Sequence, residues 1–380
     1  MKDKICKAFK DYVSSYDLQD AKIRLKYIHT GKVAANCEQI ARSLDLSPED
    51  VFLAWESGML HDIGRFEQLR RYDTFIDADS IDHASFGADL LFQDGLVRRF
   101  ETDTSKYGMI ETAIRCHSLY RLPDGLNERE IMFCQILRDA DKIDIFRANY
   151  ETGMAAIYNV TEEELAQSPV TPEVYNAFCE EHAVLRSLKR TPLDHLIGHL
   201  SLMFELVYPE SRSIAAKQGY LEKLFLFSSR NPETQKILNE AGKKYQEFAR
   251  EAAVYRLKQS LSSRDKLDYA ILEEADEHPE LNMDFAREKG MQDLENCLWD
   301  TLTLFQNVPF YTAKNLEFSY TIKGYEMFVN RKDKSITRAT VLLTFHNALK
   351  LNRKAPGPKA LGTFGASYLY PIFQRIGVLI

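Results

Sequence analysis

Four histidines and two aspartates stand in a spaced series along the first part of this chain. They are His29, the adjacent pair His61 and Asp62, His83, His117 and Asp141. Imidazole nitrogens combined with carboxylate oxygens are ligands for Mn, Fe, Co and Zn, whereas Mg needs a site dominated by carboxylates and water. Adjacent side chains on one helix point about 100° apart, so His61 and Asp62 at a helix end can converge on one ion. The series therefore predicts a centre for divalent metal ions.

The sequence around each of these side chains favours a shared site. The five segments read YIHTGKVAANCEQIA, GMLHDIGRF, IDHASFGADLL, AIRCHS and LRDADKIDIF. Small residues beside the predicted ligands would let helices approach closely: Gly58, Gly64, Ala84, Gly87, Ala88 and Ala140. A lone histidine in a helix is usually structural, but six such residues in these contexts indicate chemistry.

These segments, in this order and at these separations, resemble the HD-domain phosphohydrolase superfamily over about residues 20–150. The resemblance implies a helical bundle in which a first histidine, a His-Asp pair and a distal aspartate bind one metal ion. Those positions are His29, His61, Asp62 and Asp141 here. Some members add two histidines and a second ion, with the aspartate of the pair bridging. His83 and His117 match these extra positions, so two divalent ions are expected (Mn, Fe, Co or Zn, with Mg as an alternative).

The resemblance also implies the reaction, which is hydrolysis of a phosphate bond by metal-activated water, with Asp62 at the centre. Paired cations can bind phosphate oxygens and lower the pKa of a bridging water. Arg65 and Lys142 stand beside predicted ligands and are expected to neutralise charge on the phosphoryl group. Arg115 and Arg121, on either side of the last histidine of the series, are candidates for binding the remaining phosphates of the substrate.

Two further groups of polar residues are interpreted as structural. Asp77, Asp79 and Asp82 precede His83 in a polar stretch, where one of them could orient a histidine through its second ring nitrogen. A solvated loop is the simpler interpretation. His195 and His199 share a helix face, but they lie among Leu, Ile, Met and Phe and are interpreted as core residues.

Two departures from related families narrow the substrate. Cyclic-dinucleotide hydrolases of the HD-GYP type carry a Gly-Tyr-Pro turn, whereas His117 is followed here by Ser118 and the turn RLPDGL. Alarmone hydrolases carry an acidic dipeptide after their His-Asp pair, where this chain has Ile63-Gly64-Arg65. The arrangement is closer to small bacterial HD hydrolases of nucleotides or dinucleoside polyphosphates. A nucleotide phosphate ester or anhydride is therefore the expected substrate class.

Apolar residues at three-to-four spacing predict that most of the first 260 residues are helical. Later in the chain, LEFSYTIKGYEMFVNR alternates apolar and polar residues around Lys-Gly and predicts a hairpin, followed by a helix that ends near Leu351. The expected fold is mainly α, an HD-type helical bundle followed by a smaller α+β domain. The predicted domains are residues 1–262, a linker or surface helix at 263–288, and an accessory domain at 289–380.

Charge is distributed unevenly along the chain. The net charge is −7, but the residues from Val308 onward hold eleven Lys and Arg against three Asp and Glu, a local charge of +8. Basic residues together with Tyr311, Tyr320, Tyr325 and Phe328 are compatible with binding a phosphate backbone. An alternative to the enzyme is therefore a nucleic-acid-binding regulatory protein, in which the HD site senses nucleotides. A nuclease delivered by the basic domain would combine the two functions.

The sequence predicts a cytoplasmic protein with no membrane partner. The first residues lack the apolar core of a signal peptide, and no apolar run is long enough to cross a bilayer. Six cysteines occur without paired spacing, which is typical of thiols in a reducing compartment.

Overall fold

Segments with helical apolar spacing form helices throughout the first part of the chain. The computed structural model describes residues 1–101, 103–158, 160–274 and 283–380, and the chain divides into two units, Met1–Tyr245 and Gln246–Ile380. The helices of the first unit, with the helix that runs out of it, are α1 (Lys2–Val13), α2 (Ala21–Ser43), α3 (Pro48–Leu60), α4 (Ile63–Tyr72), α5 (His83–Phe92), α6 (Tyr107–Cys116), α7 (Glu128–Thr152), α8 (Met154–Tyr158), α9 (Glu162–Gln167), α10 (Pro172–Cys179), α11 (Pro192–Leu200), α12 (Pro209–Gln218), α13 (Tyr220–Phe225) and α14 (Pro232–Glu274).

Side-chain caps fix where several of these helices begin. The Ser47 hydroxyl accepts a hydrogen bond from the backbone of Asp50 at the start of α3, which has proline in its first turn. Asp82 caps α5, and Asn127 caps α7 within a reciprocal capping box. These side chains satisfy amide groups that have no partner in a first helical turn.

The core of the first unit lies where α2 packs against α3 and α7. Val33, Ala34 and Ile40 of α2 are fully buried, as are Leu60 of α3 and Ala140 of α7. The polar residues of the candidate site, described below, lie on these helices within this mostly apolar core.

The second unit combines helices with two small antiparallel sheets. Its elements after α14 are α15 (Met283–Leu304), β1 (Phe310–Tyr311), β2 (Glu317–Phe318), β3 (Tyr320–Lys323), β4 (Glu326–Val329), β5 (Ile336–Thr337), α16 (Arg338–Lys350) and α17 (Ala366–Arg375). β1 pairs with β2, and β4 is the middle strand between β3 and β5. Tyr320, Met327 and Ile336 face the buried side of the larger sheet, where Phe345 and Phe373 complete the core.

The prediction of a mainly helical chain with a smaller α+β C-terminal part is confirmed. The predicted hairpin is β3–β4, in register from Tyr320 with Val329 to Lys323 with Glu326. The domain boundary predicted at 263–288 stays a prediction, because residues 275–282 at its centre lie outside the described part of the chain. The two units divide within α14, between Tyr245 and Gln246.

The apolar spacing also predicts single helices near 172–187 and 211–228, and both are shorter in the structure. The segment 172–187 ends as α10 at Cys179, because Glu181 has a positive φ of 61° that a right-handed helix cannot contain. The segment 211–228 is divided into α12 and α13 at Gly219, whose φ is 71°. Glycine adopts this left-handed conformation without the steric cost that a Cβ brings.

Candidate metal centre

The predicted metal ligands come from five places in the helices of the first unit. Their positions are the middle of α2 for His29, the junction of α3 and α4 for His61 and Asp62, the first residue of α5 for His83, the residue after α6 for His117, and the middle of α7 for Asp141. All but Asp141 are buried, with at most 5% of the residue exposed.

The His-Asp pair lies at a break between two helices, whereas the sequence predicts that both residues lie on one helix. α3 ends before His61, and Asp62 is the N-cap residue of α4 with a φ of −104°. Aspartate favours this position, but the Asp62 side chain makes no capping hydrogen bond. Its carboxylate faces the histidines instead.

One oxygen of Asp62 faces the first group of ligands. Asp62 Oδ2 lies 3.5 Å from the Nε2 atoms of both His29 and His61. Asp141 Oδ1 lies 3.1 Å from His29 Nε2 and 3.9 Å from His61 Nε2. The ligand atoms of His29, His61 and Asp62 all lie within 4.8 Å of one another, a spacing that one ion can span.

The other oxygen of Asp62 faces a second group. Asp62 Oδ1 lies 3.6 Å from His83 Nε2 and 3.8 Å from His117 Nε2. The two Nε2 atoms of His83 and His117 are only 3.1 Å apart. Asp62 thus belongs to both groups and presents a different oxygen to each.

Hydrogen bonds on the far side of each ring fix the orientation of all four histidines. The Nδ1 atoms of His29 and His83 lie 2.7 Å from carboxylate oxygens of Asp144 and Asp77. Those of His61 and His117 lie 2.7 Å from the carbonyl oxygens of Gly58 and Ile114. Because these partners accept hydrogen bonds, each Nδ1 carries the proton and each neutral ring presents a lone pair at Nε2.

The donor set fits divalent metal ions. Nε2 of His29 and Nε2 of His61 are buried and have no hydrogen-bond partner among the described residues. Two facing lone pairs on His83 and His117 repel each other unless a proton or a cation lies between them. Buried polar atoms without partners are costly, so the geometry indicates that these nitrogens bind a cation.

The pKa values favour the protonation states that bind metals. Burial lowers the pKa of both His83 and His117 to about 4, so both rings are neutral near pH 7. Burial alone would raise the pKa of Asp62, but Lys26 and His61 outweigh it and hold this pKa well below its ordinary value. The site therefore presents neutral imidazoles at His83 and His117 and an ionised carboxylate. Burial and the charge of Lys26 lower the pKa of His29, but its hydrogen bonds with Asp141 and Asp144 outweigh them, so this pKa is raised instead.

Lys26 is a member of the site that the sequence analysis missed. Its Nζ lies 2.6 Å from Asp62 Oδ2. Lys26 precedes His29 by three residues in α2, so both share one face of the helix. That spacing is the only signal in the sequence, and it is weak because lysines are common on exposed helical faces.

Arg65 and Asp77 form a chain of hydrogen bonds that orients the His83 ring. Arg65 Nη1 donates hydrogen bonds to the Phe75 carbonyl at 2.7 Å and to Asp77 Oδ1 at 2.8 Å. The other oxygen of Asp77 accepts the His83 hydrogen bond. The interpretation of Asp77 as part of a solvated loop is therefore wrong. Arg65 also reaches the metal ligands, since its Nε lies 3.7 Å from Asp62 Oδ1.

The other basic residues predicted to bind substrate lie in different surroundings. Lys142 is buried beside Asp141, and burial together with Arg138 lowers its pKa to about 8. The Arg115 guanidinium pairs with Asp89 and Glu111. No described contact joins the exposed Arg121, or Arg115, to the six ligands. The structure thus brings Arg65 to the ligands and leaves Arg115 and Arg121 apart, while Lys142 follows Asp141 in α7 without a described contact between its amine and a ligand.

Glycines let the ligand-bearing helices touch. A Cβ atom at Gly64 would lie 2.7 Å from the His83 carbonyl oxygen and 2.8 Å from the Gly87 Cα atom. A Cβ atom at Gly58 would lie 2.7 Å from the Ala34 Cα atom. These contacts hold α4 against α5 and α3 against α2 at backbone distance.

Comparison with known proteins gives one match. The family model described as HD domain matches residues 27–146, a range that contains all six predicted metal ligands. No curated protein and no solved structure matches the chain. In the described part of the chain, no helix is both long enough and apolar enough to span a membrane.

Proposed function

Residues 27–146 form an HD domain, and from this premise we propose that the chain is a metal-dependent phosphohydrolase acting on a nucleotide-type phosphate ester or anhydride. The observation that carries the proposal is the position of Asp62. One of its oxygens faces His29 and His61, and the other faces His83 and His117. A carboxylate in this position suits a pair of ions, one on each side.

The proposed ligands divide into two sets that share Asp62. His29, His61, Asp62 and Asp141 would hold one ion, while His83 and His117 would hold the other with Asp62. Mixed nitrogen and oxygen donors favour Mn, Fe, Co or Zn, with Mg as an alternative. When bound, such ions would polarise phosphate oxygens and provide hydroxide near neutral pH.

Three cationic side chains beside the ligands suit the negative charge of a phosphoryl group. Lys26 already contacts Asp62, Arg65 approaches Asp62 Oδ1, and Lys142 lies beside Asp141. We propose that Lys26 donates a hydrogen bond to a phosphate oxygen once Asp62 binds metal. Arg65 acts partly by holding Asp77, and Lys142 stabilises charge from within α7. Because these groups lie in partly buried surroundings, their electrostatic effects are stronger than in water.

The nucleotide part of the proposal is supported by Phe75. Its half-buried ring lies 5.6 Å from Lys26 Nζ and 5.6 Å from Arg65 Cζ, measured to the ring centroid. An aromatic ring next to phosphate-binding cations can stack on a base while the cations hold the phosphates. Phe75 is therefore the proposed contact for the base.

The decisive experiment is hydrolysis by the purified full-length protein. With Mn, Co or Fe present, the protein should hydrolyse members of a nucleotide panel, and replacing both His61 and Asp62 by alanine should abolish hydrolysis and metal binding. His182→Ala, at a half-buried position that pairs with Glu180, is the matched control and should keep full activity. Hydrolysis that persists in the double variant would contradict the proposal.

Substrate class is tested separately with Phe75→Leu. This variant should raise KM for nucleotides by about 10-fold, since base stacking contributes about 1–3 kcal/mol. KM for a phosphate ester without a base should stay the same. Equal changes for both substrates would show that Phe75 does not contact a base.

Nucleic-acid binding by the second unit is a second candidate function, favoured by one surface. Lys332 Nζ lies 3.5 Å from the Phe364 ring centroid, and Lys334 Nζ lies 5.2 Å from the same ring. Phe364 keeps 44% of its surface exposed. Adjacent lysines on an exposed aromatic ring suit the backbone and bases of a single strand.

Binding of single-stranded DNA or RNA measured over a range of salt concentrations tests this candidate. Replacing Lys332 and Lys334 by methionine should weaken binding and lower the dependence on salt. Lys350→Met and Lys354→Met are controls of equal charge. Binding that is equal in both pairs of variants would rule out this surface. Metal-dependent cleavage of the bound strand would identify a nuclease.

A further inference from the structure

A second cluster of basic side chains lies in the first unit outside the metal ligands. It contains His195 and His199 of α11, which the sequence analysis interpreted as core residues. That interpretation is wrong, because His195 is exposed and His199 is only half-buried. Neither side chain belongs to a group of metal ligands among the described residues.

Tyr158 orients both of these histidines. Its ring stacks on His195 and His199, with ring centroids 5.4 Å and 5.8 Å apart and interplanar angles of 29° and 25°. The Tyr158 hydroxyl donates to Asn149 Oδ1 and lies 2.8 Å from His199 Nδ1. His199 must then donate through Nδ1, so its neutral ring keeps a lone pair at Nε2.

Lys189 lies over the helix that carries these histidines. A Cβ atom at Gly198 would lie 2.3 Å from Lys189 Cε and 2.4 Å from Lys189 Nζ. The amine therefore occupies the space that a side chain at position 198 would fill. Its charge affects both histidines, since burial and then Lys189 lower the pKa of His195 and of His199.

Among the described residues, the positive charge in this cluster has no anionic partner of its own. Burial and the charge of Arg186 lower the pKa of Lys189 to about 8. Within the part of the chain that the structure describes, no ion pair or hydrogen bond involves the Lys189 amine. Asp194 is the nearby carboxylate, but its oxygens accept hydrogen bonds from Thr171, Arg190 and Thr191. Desolvated charges are normally paired, so a partner is missing.

We propose that Arg186, Lys189 and His195 form a binding site for a phosphoryl group, separate from the metal centre and next to His199. A metal ion is the wrong occupant, because the lysine and arginine repel cations and no free carboxylate among the described residues completes a ligand set. A phosphate accepts hydrogen bonds from ammonium, guanidinium and imidazole donors together. Gly198 serves the site by leaving room for the amine.

The location of the site is compatible with two sources of the phosphoryl group. Asn149, which contacts Tyr158, follows Asp141 by eight residues in α7, about 12 Å along the helix axis. At that distance the site can hold a distal phosphate of an extended ligand or a free phosphate ion. Both present the same group to the same side chains.

Titration calorimetry with inorganic phosphate tests the proposal on full-length protein treated with a chelator. The His61→Ala/Asp62→Ala variant serves as the background, so that neither metals nor hydrolysis contribute to the signal. Lys189→Met should weaken phosphate binding by about 10-fold or more, as expected for loss of a charged hydrogen bond. Lys236→Met, which removes an exposed lysine of the same unit, should bind as the parent protein does.

Gly198→Ala provides a test without a change of charge. The added methyl group displaces the flexible end of Lys189, so phosphate binding should fall as in Lys189→Met while the thermal unfolding temperature stays close to that of the parent. Phosphate binding that is unchanged in both variants, or absent from the parent, would overturn the proposal. Because the assay needs no catalysis, its failure leaves the proposed hydrolase activity untouched.

The two sources are distinguished by repeating the titration with a nucleoside monophosphate. Lys189-dependent binding that is tighter for the monophosphate than for phosphate supports a distal ligand group. Equal affinities support a site for free phosphate. Binding of either ligand that does not depend on Lys189 contradicts the proposed site.

Discussion

The Lys26 ammonium group lies 2.6 Å from Asp62 Oδ2, the oxygen that also faces His29 and His61. A lysine side chain therefore borders the carboxylate that both histidine groups share. This cation repels a metal ion but attracts a phosphate, so it affects metal binding and substrate binding in opposite directions.

Lys26→Met separates these two effects. Metal affinity should stay the same or rise, because a repelling charge is removed, while kcat/KM should fall by about 100-fold through loss of a donor to the phosphoryl group. Metal titration and steady-state kinetics measure both quantities. Lys22→Met, one turn earlier in α2 at a surface pair with Asp73, is the control. If metal affinity and activity fall together, Lys26 has a purely structural role.

The second ion depends on His83 and His117. Protein purified with Mn should contain two ions per chain, and His117→Ala should contain one, because the Nε2 atom that faces His83 is lost. Elemental analysis by mass spectrometry gives the stoichiometry. If the parent protein holds one ion that His117→Ala retains, then His83 and His117 serve another purpose.

Asp144 and Asp77 accept hydrogen bonds from the rings of His29 and His83. Their carboxylates should therefore affect the affinities for the two ions separately. Asp144→Asn weakens the hydrogen bond that orients His29 and should lower affinity for the first ion by about 10- to 100-fold. Asp77→Asn should do the same for the second ion through His83. Stepwise metal titrations would resolve the two sites, and Asp89→Asn, which affects surface contacts with Arg115 and Gln93, should change neither.

Glu56 should make stability depend on pH. This fully buried residue of α3 has a pKa raised from 4.5 to about 8 by burial and by the charge of Glu101. Between those two values the folded state keeps a proton that the unfolded state releases. The stabilisation is therefore complete below pH 4.5 and is lost as the pH rises towards 8.

Glu56→Gln removes this dependence because the amide does not titrate. Its thermal unfolding temperature should exceed that of the parent by about 3 °C or more at pH 8.5, with a smaller difference at pH 5. Thermal scans at both values measure the change. A variant that is destabilised more at pH 8.5 than at pH 5 would contradict the assignment.

The ligand series could be predicted from sequence because each residue stands in its own recognisable context. Lys26 and Phe75 could not, since a lysine on a helix and an aromatic residue in a loop have many uses. Asp77 could not be chosen over Asp79 and Asp82, because only the path of the loop decides which carboxylate reaches His83. The hairpin of the second unit was predictable because alternation and a Lys-Gly turn define it locally, whereas the position of Lys189 over Gly198 depends on tertiary packing.

The contact between Gly64 and Gly87 has a consequence for the ways in which this chain can vary. A Cβ atom at Gly64 would collide with the backbone of the facing helix, and shortening another side chain offers no relief, whereas a Cβ atom at Gly87 would lie 3.1 Å from the Gly64 nitrogen and needs only a small shift. Position 64 therefore cannot tolerate an alanine unless α4 and α5 separate, and separation would pull Asp62 away from His83. The spacing of the two histidine groups thus depends on Gly64, a residue that has no chemistry of its own. A homologue with a side chain at this position must have a different crossing of the two helices.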